Sequence, residues 1–446
     1  FLASGLAGIV LPRLRPVLAN AISTVLICLC FLIQFNLYLP GLLICLAVLA
    51  FLAWRSGQNF HRFGVVVMLA LLAGAFLDAR QNPDEAVPGE EPIPGRSGLP
   101  PVFHLILDSA IGTGGLPDHP ASSLIREEIQ GLFIEFGLIE FPRAYSHYSQ
   151  TGDSMFSAFN YQAEDVSRFN LESASDGRNF LSKNAHLDAM KSIGYRFRIY
   201  QTGHLDYCRS QGDAVERCWN YQHPNVSSIR QAADTSQRVN MLASVILNQS
   251  ELLTRALNSY GFLLNLGIAV HDPEIFDQLE NDLSGHTDGT YSLAHVLLPH
   301  GPFAYMNDCS VNYDSPMWAR YANMGNEPGL PEWVYEVRNT RYFEQMDCAL
   351  SELRSLFNTM KDKGLFDRSI ILIHGDHGSM ISPAQPHVSN RDRLTKVDIK
   401  AAFSVMFAVK LPSGEFGSDP RTVSLPTLME GVGKLVNAVA AGQGSN

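Results

Sequence analysis

Long apolar runs fill the first eighty residues of the chain, and short ones recur after them. Val17–Leu37 is nearly uncharged over a length sufficient to cross a bilayer, for which about 20 residues are needed. Pro40–Trp54 and Phe63–Leu77 are shorter runs of the same kind, and residues 1–10 read as the tail of an earlier one. Beyond residue 101 the pattern changes. Phe103–Leu107, Tyr195–Tyr200, Leu293–Leu298, Ile370–Ile373 and Ala402–Val409 read as fully buried strands of a largely parallel sheet. Helical periodicity falls between them. Residues 118–136 place Ile125, Ile129, Leu132 and Phe133 on one face; His186–Ile193 and Thr235–Leu257 follow; Arg341–Lys363 stops at Gly364. This alternation predicts an α/β sandwich preceded by transmembrane helices. The expected division is a membrane region at 1–79, a linker at 80–100, a catalytic domain at 101–435 and a tail at 436–446. The linker is rich in Pro, Gly and acid, a composition that forms no core.

Charge sharpens this division. The first 80 residues carry five Arg and only Asp78, which leaves 28 basic and 43 acidic residues beyond them, a net of −15. A domain that acidic is not built to bind nucleic acid through phosphates. Arg13 and Arg15 precede the first span, and Arg55, His61 and Arg62 lie between the other two. The positive-inside rule puts both clusters in the cytoplasm and residue 80 onward outside. The cysteines agree. Cys28, Cys30 and Cys45 fall within spans, whereas Cys208, Cys218, Cys309 and Cys348 are an even set compatible with two disulfides in an oxidising compartment. Cys208–Cys218 closes the shorter loop. No CxxC pair suggests structural zinc. The expected location is the cytoplasmic (inner) membrane, multi-pass, with the main domain on the extracytoplasmic side.

Candidate chemistry sits where buried strands end, the usual place for sites in open α/β sheets. Asp108 closes one strand; it either faces a cation or caps the next turn. Asp376-His377 closes another, and a carboxylate beside an imidazole suits zinc or manganese, or else forms a hydrogen-bonded turn. Thr151 and Ser154 precede a helix, where a hydroxyl is either an N-cap or a nucleophile beside bound phosphate. His300, on a Gly-Pro turn, is placed to contact a phosphoryl oxygen or protonate a leaving group. His295 opens the same strand and reads as structural. His204 and His387 are weaker substrate-binding candidates; the alternative for each is an exposed loop histidine.

HLILDS, FPRAYSHYSQTGDSMFS, GYRFRIYQTGH, HVLLPHGPFAY, the run from Tyr342 through IILIHGDHGS, AAFSVMFAVKLPSG and SLPTLMEGVG occur in that order. Together they resemble the alkaline phosphatase/sulfatase superfamily, and within it the membrane-anchored sulfatase-like phosphotransferases such as lipoteichoic acid synthases and lipid A phosphoethanolamine transferases. The resemblance covers residues 101–435. It implies an alkaline-phosphatase/sulfatase-like α/β/α sandwich with Asp108, Thr151, Asp376 and His377 as metal ligands and Thr151 as nucleophile. His300 corresponds to a phosphoryl-contacting histidine. One divalent ion is implied, zinc or manganese first, calcium or magnesium also compatible. The implied chemistry is ping-pong transfer of a phospholipid head-group phosphate to a lipid or glycan acceptor. Three departures stand out. The sulfatase signature C/S-x-P-S-R is missing at Thr151; Ser109 stands where a second Asp would supply a second metal; and Asp108 replaces a Glu. A phosphodiesterase or sulfatase-like hydrolase, and a structural subunit of a membrane complex with a degenerate site, are the alternative readings.

Overall fold

The computed structural model describes residues 84–85, 96–162, 171–173, 179–181, 183–202, 205–221, 272–286, 288–301, 303, 305–310, 332–412 and 414–441. The three apolar segments, His204 and the helix expected at Thr235–Leu257 lie outside them. Among the described residues no helix is long and apolar enough to cross a membrane.

A nine-stranded sheet carries the domain. Its strands in chain order are β1 (Asp84–Glu85), β2 (Val102–Leu107), β3 (Ile139–Glu140), β4 (Arg196–Thr202), β5 (Val215–Tyr221), β6 (Thr290–Val296), β7 (Ile370–Gly375), β8 (Phe407–Lys410) and β9 (Gly417–Ser418). Across the sheet they run β1-β5-β4-β6-β2-β7-β8-β3-β9. The central strands β5, β4, β6, β2 and β7 are all parallel, and β8 is antiparallel to β7. Parallel pairing forces crossovers, so helices cover both faces.

Period-two alternation sorts the strand residues between those faces. Phe103, Leu105 and Leu107 pack with α1 (Pro120–Glu135), α4 (Asp272–Asp282) and α5 (Glu332–Asp362). Val102 and Ile106 pack with α2 (Thr151–Phe159), α3 (Ala185–Ile193) and α7 (Leu425–Ala440). Every residue of β2, β6 and β7 is buried, as the unbroken apolar runs require. The result is the expected three-layer sandwich.

Several boundaries move. The strand expected at Ala402–Val409 begins only at Phe407. Its first residues end α6 (Lys396–Phe403), which a Thr395/Asp398 capping box initiates; a single apolar run did not distinguish helix end from strand. The strand expected at Leu293–Leu298 is Thr290–Val296, so His295 stands near its carboxyl end, not its start. α5 starts at Glu332, nine residues before Arg341, and α7 continues to Ala440, into the expected tail. The linker is not wholly free of the domain. Asp84 and Glu85 pair with Asn220 and Trp219 on the sheet edge, and Leu99 is buried. Backbone pairing needs no apolar composition.

All four cysteines outside the apolar segments are paired, Cys208 with Cys218 and Cys309 with Cys348.

Candidate active site

Three strand ends and one helix start converge. In β2, Asp108 follows in phase with His104 and Ile106; in β7, Asp376 follows in phase with Leu372 and His374; in β6, His295 is in phase with Tyr291 and Leu293. In-register pairing of these neighbours brings the three ends together on the α2 face. Thr151 is the first residue of α2, and its N-cap, Gln150, offers no side-chain bond. The hydroxyl therefore turns to the strand ends. Thr151 Oγ1 donates to Asp108 Oδ2 at 3.2 Å and lies 3.4 Å from His377 Nε2.

The hydrogen-bond directions expose what this cluster lacks. His377 Nδ1 is 2.8 Å from the Gly378 carbonyl, which can only accept, so Nδ1 carries a proton and, in the neutral ring, Nε2 presents a lone pair. That lone pair faces Asp376 Oδ2 at 3.4 Å and Asp108 Oδ1 at 3.7 Å. Asp376 Oδ1 accepts from the Ser109 and His377 amides, both at 2.8 Å, yet buried Oδ2 has no donor. Acceptors facing acceptors in a dry site repel unless a cation lies among them. Their spacing fits one. Ligands 2.0–2.1 Å from a tetrahedral ion stand about 3.4 Å apart; Thr151 Oγ1 is 3.2 Å from Asp108 Oδ2 and 3.4 Å from His377 Nε2, which is 3.4 Å from Asp376 Oδ2 and 3.7 Å from Asp108 Oδ1. Asp108, Asp376, His377 and Thr151 thus suit one divalent metal with mixed oxygen and nitrogen donors. Among the described residues one other donor cluster occurs, Cys309, Cys348 and Glu352, and its disulfide closes it to metal.

Burial raises the Asp108 carboxyl, but the imidazoles of His300, His295 and His377 outweigh it and hold the group below the ordinary carboxylate range. Burial likewise disfavours a charged His377, and the carboxylates of Asp376 and Asp108 overcome that and raise it. Ser109 holds the carboxylates together: its amide serves Asp376 and its hydroxyl donates to Asp108 Oδ1 at 3.1 Å. To do so it adopts a left-handed backbone, φ 64°, a strained conformation for a residue with a Cβ. Tyr342 of α5 secures that turn, donating to the Ser109 carbonyl at 2.7 Å and accepting from the Ile111 amide at 3.1 Å.

His300 lines a pocket of about 100 Å³ with Ser109, Pro299, Gly301, Phe303, Tyr342, Met380 and Gln385. Its carbonyl accepts from Gln345 of α5 at 2.7 Å, and its Nδ1 donates to the Gly301 carbonyl. Ser154 is not the N-cap of α2, which is Gln150. Its buried hydroxyl donates to the Asp376 carbonyl at 2.5 Å and braces the metal turn. His387 is exposed beside the 3-10 turn Val388–Arg393. His295 belongs to the site although its sequence position read as structural. Its Nε2 stands 3.6 Å from Asp108 Oδ2, while Nδ1 meets the Tyr207 hydroxyl at 3.1 Å. What matters is its place along the strand: with the strand at Thr290–Val296, His295 lies at the carboxyl end, paired in register with Ile106.

Beneath the site runs a buried polar chain with one proton order when its rings are neutral. His374 Nδ1 donates to the Gly375 carbonyl (2.8 Å), which leaves Nε2 to accept from His104 Nε2 (2.7 Å). His104 Nδ1 then accepts from Tyr291 (2.8 Å), Tyr291 from His186 Nε2 (2.9 Å), and His186 Nδ1 from Tyr161 (2.9 Å). Every ring is neutral in this order, as burial favours. Burial, aided by neighbouring rings, pushes His104 well below its ordinary value and His186 down to about 3. Because the folded value is depressed, this stabilisation is present above the unfolded value and lost as pH falls toward the folded one. Denaturant titration of the parent and a His186→Gln variant checks it. The parent's stability minus the variant's should fall by about 1.4 kcal/mol per pH unit between about pH 6 and 4. Subtraction cancels Asp347 and Glu352, which burial raises to about 6 and about 7 and which oppose the trend. A flat difference would mean that His186 does not stay neutral.

No curated protein matches the chain significantly. Solved structures resemble it at low identity. The phosphonate monoester hydrolase of Agrobacterium radiobacter is 11% identical over 76% of this chain and 74% of that one, with a TM-score of 0.45. The C-terminal periplasmic domain of EptC from Escherichia coli, in complex with zinc, is 13% identical over 80% and 85%, TM-score 0.43. The lipoteichoic acid synthase LtaP from Listeria monocytogenes is 14% identical over 76% and 72%, TM-score 0.38. Likenesses this distant do not bear on the reaction. The sulfatase family model, in contrast, matches residues 127–403, well over half of the 446. The chain belongs to the sulfatase family, a family of enzymes.

Proposed function

We propose that the protein is a metal-dependent phosphotransferase, acting outside the cytoplasm, that moves a phospholipid head-group phosphate to a lipid or glycan acceptor through Thr151. One observation carries this reading: the only hydroxyl among four converging donor groups is the first residue of a helix, hydrogen-bonded to Asp108. A divalent ion held by Asp108, Asp376, His377 and Thr151 would neutralise phosphoryl charge and favour the alkoxide.

The chain's residues supply the rest. Thr151 Oγ1 gives up its proton to solvent and forms a bond to phosphorus as the bond to the diacylglycerol oxygen breaks. His300, in the adjacent pocket, gives a proton to the departing oxygen. The α2 N-terminus favours the anionic group on Thr151. An acceptor hydroxyl then takes the group, its proton returns to the site, and Thr151 is free again. The two disulfides support an oxidising compartment. In the family resembled here, sulfate hydrolysis uses a matured Cys or Ser, and Thr151 is neither.

Bilayers of phosphatidylglycerol and of phosphatidylethanolamine test the donor. The metal-loaded enzyme should release diacylglycerol from at least one and carry a phosphorylated Thr151 detectable by mass spectrometry. Metal bound at unit stoichiometry with no release from either lipid would defeat the reading and favour a scaffold role. Release of head group to water alone would favour a hydrolase.

A further inference from the structure

Just beyond the metal turn, the chain presents a surface unlike the rest of the domain. Val388 is 88% exposed, Val397 56% and Ile399 47%; Trp333, at the start of α5, is 49% exposed. Arg391, Arg393, Lys396 and Lys400 are interleaved with the three aliphatic residues and also exposed, while Asp392 is the one exposed acid among them. Among the described residues none of these four cations makes an ion pair. This is a local excess of positive charge on a domain whose net charge beyond residue 80 is −15.

The segment is held firmly despite its exposure. Asn390 is buried and donates to the Gln385 carbonyl at 3.1 Å, and buried Asp398 accepts from the Ala384 amide at 3.2 Å. Gln385 lines the pocket beside His300. The start of α5 is tied to the same stretch, with Arg338 donating to the Ser382 carbonyl at 3.4 Å and Tyr335 to that of Pro383 at 3.5 Å. Helical spacing puts Lys396 and Lys400 on the crest of α6 opposite buried Asp398, with Val397 and Ile399 on its flanks.

We propose that residues 388–400, with Trp333, form a docking surface for an anionic lipid bilayer, which brings the His300 pocket to the membrane. Aliphatic and aromatic side chains interleaved with Lys and Arg satisfy both layers of such an interface, the apolar groups entering it and the cations meeting head-group phosphates. An acidic protein would meet the cations but gives no reason for a valine left almost wholly in water. The apolar runs 17–37, 40–54 and 63–77 lie upstream in the same chain, a tether that would make docking a short-range event. The docking does not depend on which lipid, if any, is the substrate.

Hydrogen exchange on the full chain in nanodiscs of phosphatidylcholine, with or without phosphatidylserine, tests it. Amides of 386–400 should exchange several-fold more slowly in the anionic discs, and those around Ile134, exposed at the far end of α1, should not change. Arg391→Glu with Lys396→Glu should abolish the difference, since each cation contributes about fivefold to anionic-surface affinity. These residues are solvent-exposed, so an unchanged melting temperature verifies the fold. Equal exchange in both discs, or protection that rises with protein concentration without lipid, would overturn the proposal, the latter in favour of a second copy. Docking without diacylglycerol release would leave this surface standing and remove the phosphotransfer reading alone.

Discussion

Thr151→Ala is expected to lower turnover by about 10⁴-fold or more, the scale seen when a nucleophile acting as part of a unit is removed. Thr151→Ser, which keeps the hydroxyl between Asp108 and His377, should retain measurable turnover and still accumulate the phosphorylated residue. Because Asp108, Asp376 and His377 remain, the alanine variant should still bind metal by elemental analysis, more weakly. That pairing separates the readings. Lost activity with retained metal identifies an enzyme; no activity in the parent under any donor, with metal equally present in both, identifies a scaffold.

Replacing Cys309 and Cys348 by alanine should cost about 4 kcal/mol, whereas the Cys208–Cys218 pair should cost about 3, because loop-closure entropy grows with the loop. The sequence separations are 39 and 10 residues. For a domain of this size about 4 kcal/mol corresponds to a fall of roughly 6 °C in melting temperature. The first bridge also has a local consequence. It anchors the chain just after the pocket wall Pro299–Phe303 to α5, whose Tyr342 and Gln345 hold the Ser109 and His300 carbonyls. Its loss should therefore raise KM more than it lowers kcat, while loss of the Cys208–Cys218 bridge should leave KM unchanged. Differential scanning calorimetry and steady-state kinetics on the same samples check both halves.

Much of the layered architecture was legible because fully buried parallel strands leave unbroken apolar runs, as at Phe103–Leu107 and Ile370–Ile373. Asp108, Thr151, Asp376 and His377 were legible because they end or begin such elements, and the structure brings all four together. Residues whose role depends on partners far away in sequence were not. Ser154 sits where a hydroxyl could cap a helix or attack phosphorus, and only the fold shows that it donates to the Asp376 carbonyl. His295 reads as structural from a strand start three residues too late, which puts it at the wrong end of the strand. Tyr342 and the His–Tyr chain offered no local pattern, since their chemistry exists only after α3, β2, β6 and β7 have packed.

The pairing order also governs how the chain must acquire its shape. β2 ends at residue 107, yet its two neighbours span 290–296 and 370–375. During synthesis the middle strand of the future sheet waits with both edges bare until residues 290–296 are made, and with one edge bare until residues 370–375 are. Such late, distant pairing implies slow folding and an aggregation-prone nascent stage. Expression of this domain should therefore depend strongly on temperature and on chaperones that shield strand edges, even where the finished molecule is stable.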